Sequence, residues 1–161
     1  MFKMIATITV AALASVSIVA TARAQTSPSF KKENFNYSEW TKGKFSEVVT
    51  VTSPGKMIFL SGTGAEREGD GKIIHEGNFI EQCRYAYSKI SKMLQMQGAS
   101  MNDVVRIVTY ATDPRYFQDA LKCRAEAFGN VPIPASTFLV VNSLAWLNMA
   151  IEIDVTALLA K

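Results

Sequence analysis

The sequence predicts an α+β fold, with two helices on one face of a mixed sheet, in the order ββαβαββ. Three observations predict it. Short β-rich runs bounded by turn residues make up most of the regular sequence, and only two segments show a helical period. Both helical segments lie between strands, so each is a crossover, and right-handed crossovers put the two on the same side of the sheet. Two of the strands are apolar on both sides, so the face without helices also needs a cover.

Residues 1–24 stand apart from this pattern. Lys3 gives a positive start, a largely apolar run from Met4 to Ala20 follows, and Ala22-Arg23-Ala24 before Gln25 fits a small-x-small cleavage site. The run is read as a cleaved export signal, which places the protein in the periplasm or outside the cell; the other reading is an uncleaved N-terminal anchor. The 161-residue chain has 17 Lys and Arg and 14 Asp and Glu. Cleavage after Ala24 removes Lys3 and Arg23 and no acid, leaving 17 − 2 = 15 bases against 14 acids. A net charge of +1 gives no electrostatic footprint for nucleic acid, and no basic run interleaved with aromatics occurs. The remaining 161 − 24 = 137 residues are one domain's worth.

Residues 25–44, QTSPSFKKENFNYSEWTKGK, are polar and punctuated and read as a leader or linker before a domain over residues 45–161. Ser46 to Thr52 and Met57 to Ser61 are β-rich runs joined by SPGK, which predicts a hairpin. Asn78 and Glu81 fit a capping box, and Cys83, Ala86, Tyr87, Ile90, Met93 and Leu94 then repeat at helical spacing until Gly98. VVRIVTYAT, Val104 to Thr112, is the third strand, with Val105 and Ile107 on one side and Val104, Val108 and Tyr110 on the other. Asp113 as cap with Pro114 following opens a second helix that Gly129 closes. Strands over Thr137 to Val141 and Asn148 to Leu158 complete the order.

The chemistry-bearing residues are few. Cys83 and Cys123 with the lone His75 have no metal-ligand spacing, which excludes a zinc site. If the helices lie antiparallel, the two cysteines come level; a disulfide and a pair of free core thiols both remain open. His75 lies in the polar loop GDGKIIHEGN, with no nucleophile motif around it, and reads as a solvated residue. In MAIEIDVTAL the alternation puts Ile151, Ile153 and Val155 towards the helices and Glu152 and Asp154 on the opposite face. Glu152 is either a carboxylate on a wet sheet edge or an acid lining a cleft between subunits, where partial burial suits it to proton transfer.

With these elements in place, MIFLSGTGA (Met57 to Ala65), EQCRYAYSKISKMLQMQGASMNDVVRIVTYATD (Glu81 to Asp113), AFGNVPIPAST (Ala127 to Thr137) and IEIDVTAL (Ile151 to Leu158) together resemble the RidA/YjgF family of small trimeric proteins. The resemblance implies a chorismate-mutase-like subunit, a homotrimer around a central barrel, and ligand clefts between neighbours. In the best-studied branch it implies hydrolysis of reactive enamines and imines to carbonyl products and ammonia, with no metal and no cofactor. That branch carries an arginine directly after the Pro-Ala that opens the late strand, where it clamps a substrate carboxylate. Here Pro134 and Ala135 match and Ser136 takes the arginine's place. Phe45 stands for the family's tyrosine and Leu121 for a helix asparagine, while Ser61, Gly62 and Glu152 match. The expected ligand-binding set is Phe45, Ser61, Gly62, Leu121, Ser136, Thr137 and Phe138, with Glu152 as the catalytic candidate. Two functions follow. One is a binding protein for a small polar or aromatic metabolite, with no nucleic acid partner and no stable membrane association once the signal is removed. The other is a metal-free imine deaminase working through Glu152 and a bound water.

Overall fold

The computed structural model describes residues 29–160; the segment read as an export signal lies outside the described residues. The main sheet has four strands, β3 (Met57–Thr63), β4 (Val104–Ala111), β5 (Ala135–Val140) and β6 (Ile151–Leu158), in the spatial order β3-β6-β4-β5. β4 and β5 run parallel and the other pairs antiparallel, so the sheet is mixed. Helices α1 (Phe79–Met96) and α2 (Phe117–Phe128) pack on each other and on one face of the sheet. The core between them holds Ile90 and Leu94 from α1, Val104 and Ile107 from β4, and Ile151 and Ile153 from β6, all fully buried.

Local chemistry sets the helix ends. Asn78 accepts from the Glu81 N–H at 3.3 Å, but the Glu81 carboxylate turns to Arg84, so the expected box is a single cap. Gly98, at φ +77°, takes the left-handed turn, and the Ala99 N–H closes back on the Leu94 carbonyl at 2.8 Å. Asp113 caps the Arg115 N–H at 2.8 Å, and Pro114 opens a short 3₁₀ turn that leads into α2.

Three expectations are corrected. Residues 31–35, read as leader, form strand β1 (Lys31–Phe35), which pairs antiparallel with β2 (Val48–Thr52). The SPGK link is therefore no hairpin turn. β3 pairs with β6 instead, where Ile58 and Leu60 meet the apolar residues Ala157 and Val155. β4 also begins with a bulge: Val104 faces Ala157 and Arg106 faces Thr156, leaving Val105 as the extra residue. The slip rotates Val104 into the core beside Ile107 and leaves Val105 half-buried, the reverse of the alternation read from sequence.

Cys83 and Cys123 form a disulfide between α1 and α2, with their Cα atoms 6.3 Å apart. Arg84 paired with Glu126 at 2.8 Å and Tyr87 set edge-on to Phe128 hold the same two helices together. The far face of the sheet carries Val108, Tyr110, Glu152 and Asp154, with Met57, Phe59 and Leu139 exposed on it. The bridge spans 40 residues, and closing a loop of that length removes enough unfolded-state freedom to stabilise the fold by roughly 4 kcal/mol. Reduced protein, or the Cys83→Ser, Cys123→Ser pair, is expected to lose about that much in urea denaturation while keeping its circular dichroism. A loss under about 1 kcal/mol would show that the helices are held by packing alone.

Candidate functional site

The candidate residues fall into two groups. The first is where β3 leaves the sheet. Leu60 faces Val155 and Thr63 faces Ile153, so Ser61 and Gly62 together oppose one residue of β6. This bulge brings Gly62 under the side chain of Glu152: a Cβ on Gly62 would lie 1.8 Å from Glu152 Oε1 and 2.7 Å from its Cδ. The absence of a side chain at position 62 is what lets the carboxyl lie against the strand. Beside it is a shallow cavity of about 400 Å³, lined by Phe59, Ser61, Thr63, Glu66 and Lys89 among others.

The carboxyls at this end differ in character. Burial works to raise Glu66, but Lys89 Nζ at 2.8 Å and the Gly64 N–H at 2.9 Å outweigh it and hold Glu66 below the usual range. Burial, then the charges of Glu66 and Asp154, push Glu152 up. The result is one fixed anion and, next to it, a carboxyl inclined to hold its proton.

The second group surrounds the start of β5. Parallel pairing sets Ser136 beside Ile107 and Phe138 beside Thr109, on the helix-covered face, and Thr137 beside Val108 on the other. Thr137 therefore does not join Ser136 and Phe138 in one pocket, because neighbours on a strand point to opposite faces. Phe138 packs edge-on to Phe117 at 5.2 Å, and Phe45 edge-on to Trp40 at 6.0 Å. Leu121 lies half-buried on α2, one turn before Arg124.

Arg124 is the residue that the sequence reading missed. Its Nη1 donates to Ser136 Oγ at 2.6 Å and its Nη2 to the Lys44 carbonyl at 3.0 Å. It is only 8% exposed, and burial lowers its pKa. The signal was present in the sequence: Ala120, Cys123 and Phe128 mark the buried stripe of α2, and position 124 lies on that stripe. His75 is exposed, in a left-handed backbone conformation, with its ring 6.2 Å from that of Tyr85. Among the described residues, no cluster of His, Cys, Asp and Glu is placed to hold a metal ion, and no helix is long and apolar enough to cross a membrane.

The two groups lie far apart within one chain. Glu152 faces Tyr110 and Tyr110 faces Leu139, so Glu152 is two strands from β5, and Ser136 is three residues further along it. At ordinary strand spacing and rise this is about 14 Å, with the two side chains on opposite faces.

A protein-family model described as Endoribonuclease L-PSP matches residues 38–159 of this chain. The RutC family protein YjgH of Escherichia coli K12 is 30% identical over 100 residues, covering 62% of this chain and 74% of that protein. A RutC family protein of Aquifex aeolicus is 28% identical over 116 residues, covering 71% of this chain and 88% of its own. In fold, the chain is similar to the crystal structure of YyfB, a Rid-family protein of unknown function from Yersinia pestis. The TM-score is 0.70 at 24% identity, over 80% of this chain and 98% of that one. RidA from Psychrobacter sp. PAMC 21119 superposes with a TM-score of 0.60 at 22% identity, over 73% and 90%.

The raised carboxyl of Glu152 makes a stability prediction. A group whose folded pKa lies above its unfolded value binds more protons in the folded state, so stability falls as pH rises through that interval. Glu152→Gln removes the titrating group. The variant is expected to melt above the wild type at pH 7, by no more than about 1 kcal/mol for a partly exposed group, and to match it below pH 4. Thermal melts across that range check it; a variant less stable at pH 7 would show that the charge is favourably held.

Proposed function

Because this chain belongs to the RidA/YjgF family, we propose that it is an exported protein that binds a small metabolite in clefts formed between its own copies. The observation that carries the reading is the separation of the two half-sites. Gly62 with Glu152 lies on the β3–β6 side of the sheet, and Ser136 lies on β5, where the bridge of Ser46 to Ala135 also brings Phe45; the two sets cannot close on one small ligand within a chain. Setting the β3 side of one copy against the β5 side of the next completes the site. Such a contact joins two different surfaces, so it closes only as a ring, and three copies is the family's arrangement. The exposed Phe59 and Leu139 on the sheet face without helices supply an apolar surface for that contact.

Export is supported by the signal-like first 24 residues and by the Cys83–Cys123 bridge, a bond that persists in oxidising compartments. The raised carboxyl of Glu152 favours a second reading, in which the cleft hydrolyses an imine with Glu152 exchanging the proton. The ribonuclease in the family model's description finds no support here: His75 is exposed with no second imidazole near it, and the chain after residue 24 is close to neutral.

Light scattering on the mature protein is expected to give three times the chain mass, and Phe59→Asp to reduce it to a monomer. A monomeric wild type at micromolar concentration would end the cleft reading. With imines generated in situ, the wild type is expected to release little keto acid. Robust turnover that Glu152→Gln abolishes would replace binding by hydrolysis.

A further inference from the structure

The end of the sheet at which β4 and β5 finish and β6 begins holds a cavity of about 500 Å³. Thr112 and Tyr116 wall it beyond β4, Gly77 on the approach to α1, and Asn142, Ser143 and Trp146 on the loop from β5 to β6. It shares no residue with the cavity beside Gly62, and one chain supplies all of these walls. Its size falls within the range of small-molecule sites, roughly 300–1,000 Å³.

The loop is held from beneath. Gln82, fully buried on α1, donates through Nε2 to the carbonyls of Asn148 at 2.8 Å and His75 at 3.3 Å, and accepts the Ala150 N–H at 2.8 Å through Oε1. One amide thereby ties together the two chain segments that flank the cavity. Met149 is buried as well, so close to Gly64 that a Cβ there would lie 2.1 Å from its Cε. On this fixed base Trp146 is 57% exposed. An indole left in water on a pinned loop offers a large apolar surface that the core does not use.

Charge decides what such a cavity accepts. No acid, base or histidine lines it, so an ion entering would give up water with no opposite charge to meet. A wholly apolar guest would leave the amide and hydroxyl groups of Asn142, Ser143 and Thr112 without partners. A ring with C–H groups on its faces and hydroxyls around its edge meets both kinds of wall, because the negative face of an indole attracts C–H hydrogens. We propose that this cavity binds a neutral sugar ring, laid on Trp146 and held at its edge by Asn142, Ser143 and Thr112. The assignment does not rest on the cleft between copies.

The test is an NMR titration of isotope-labelled mature protein with methyl β-glucoside and with methyl β-glucuronide, alike in ring and different in charge. The glucoside is expected to shift the Trp146 indole N–H and the amides of residues 142–150 saturably, with a Kd of about 1 mM, as fits one stacked ring and a few neutral hydrogen bonds. The glucuronide is expected to bind at least about fivefold more weakly. Trp146→Ala is expected to weaken the glucoside about tenfold or more, and Trp146→Phe to keep most of the binding. Absence of saturable shifts would overturn the assignment, as would equal binding of the two probes or a folded Trp146→Ala protein that binds as the wild type does. Shifts confined to the surroundings of Gly62 and Ser136 would place the sugar in the cleft between copies and also overturn it. If Trp146→Ala does not fold, the wild-type map decides alone, shifts away from residues 142–150 counting against the proposal.

Discussion

The parallel pairing of β4 with β5 is the constraint from which most of this architecture follows. Two parallel strands cannot be joined by a tight turn, so the chain must leave the sheet after Ala111, cross one face as α2, and return at Ala135. The right-handed sense of that crossover puts α2 beside α1, and together they cover one face and leave the other bare. The same pairing places β5 at the end of the four-strand order, three strands from β3. One backbone arrangement thus gives the buried core, the uncovered face and the wide separation of the candidate residues.

At the β3 end, two carboxyls a short distance apart are driven to different protonation tendencies by their surroundings. Glu66 meets an ammonium and a backbone N–H, and Glu152 meets desolvation and like charge. The glycine at position 62 is the geometric condition for this, since any larger residue would push Glu152 off the strand and back towards water. At the β5 end the order is reversed: a cation is buried first, and its neighbours are neutral. The two ends of the sheet thus differ in character: a carboxyl whose pKa is raised at one, and a buried guanidinium at the other.

How much of this was legible in the sequence differs from element to element for physical reasons. α1, α2 and β6 were readable because their apolar spacing and their end residues, Asn78, Gly98, Asp113 and Gly129, agree with each other. β1 was not, because KKENF has no apolar alternation to mark it as a strand. The bulge at Val104–Arg106 leaves no mark in the residues themselves, so simple alternation assigned Val104 and Val105 to the wrong sides. Glu152 was placed on its face by a period of two. The same rule separates Thr137 from Ser136 and Phe138, and it outranks a grouping by sequence proximity. Arg124 was obscured because a charged residue on an apolar stripe reads as solvated until its neighbours in space are known.

Cys123 and Arg124 are consecutive on α2. Successive residues of an α-helix are set about 100° apart around its axis, so a helix free to roll by one residue would carry the guanidinium off Ser136 and into a different neighbourhood. The bond from Cys123 to Cys83 acts as a rotational stop, fixing the azimuth of α2 against α1 at the residue next to the charge. Orientation of the guanidinium is thereby tied to a covalent link as well as to the packing of α2 on α1.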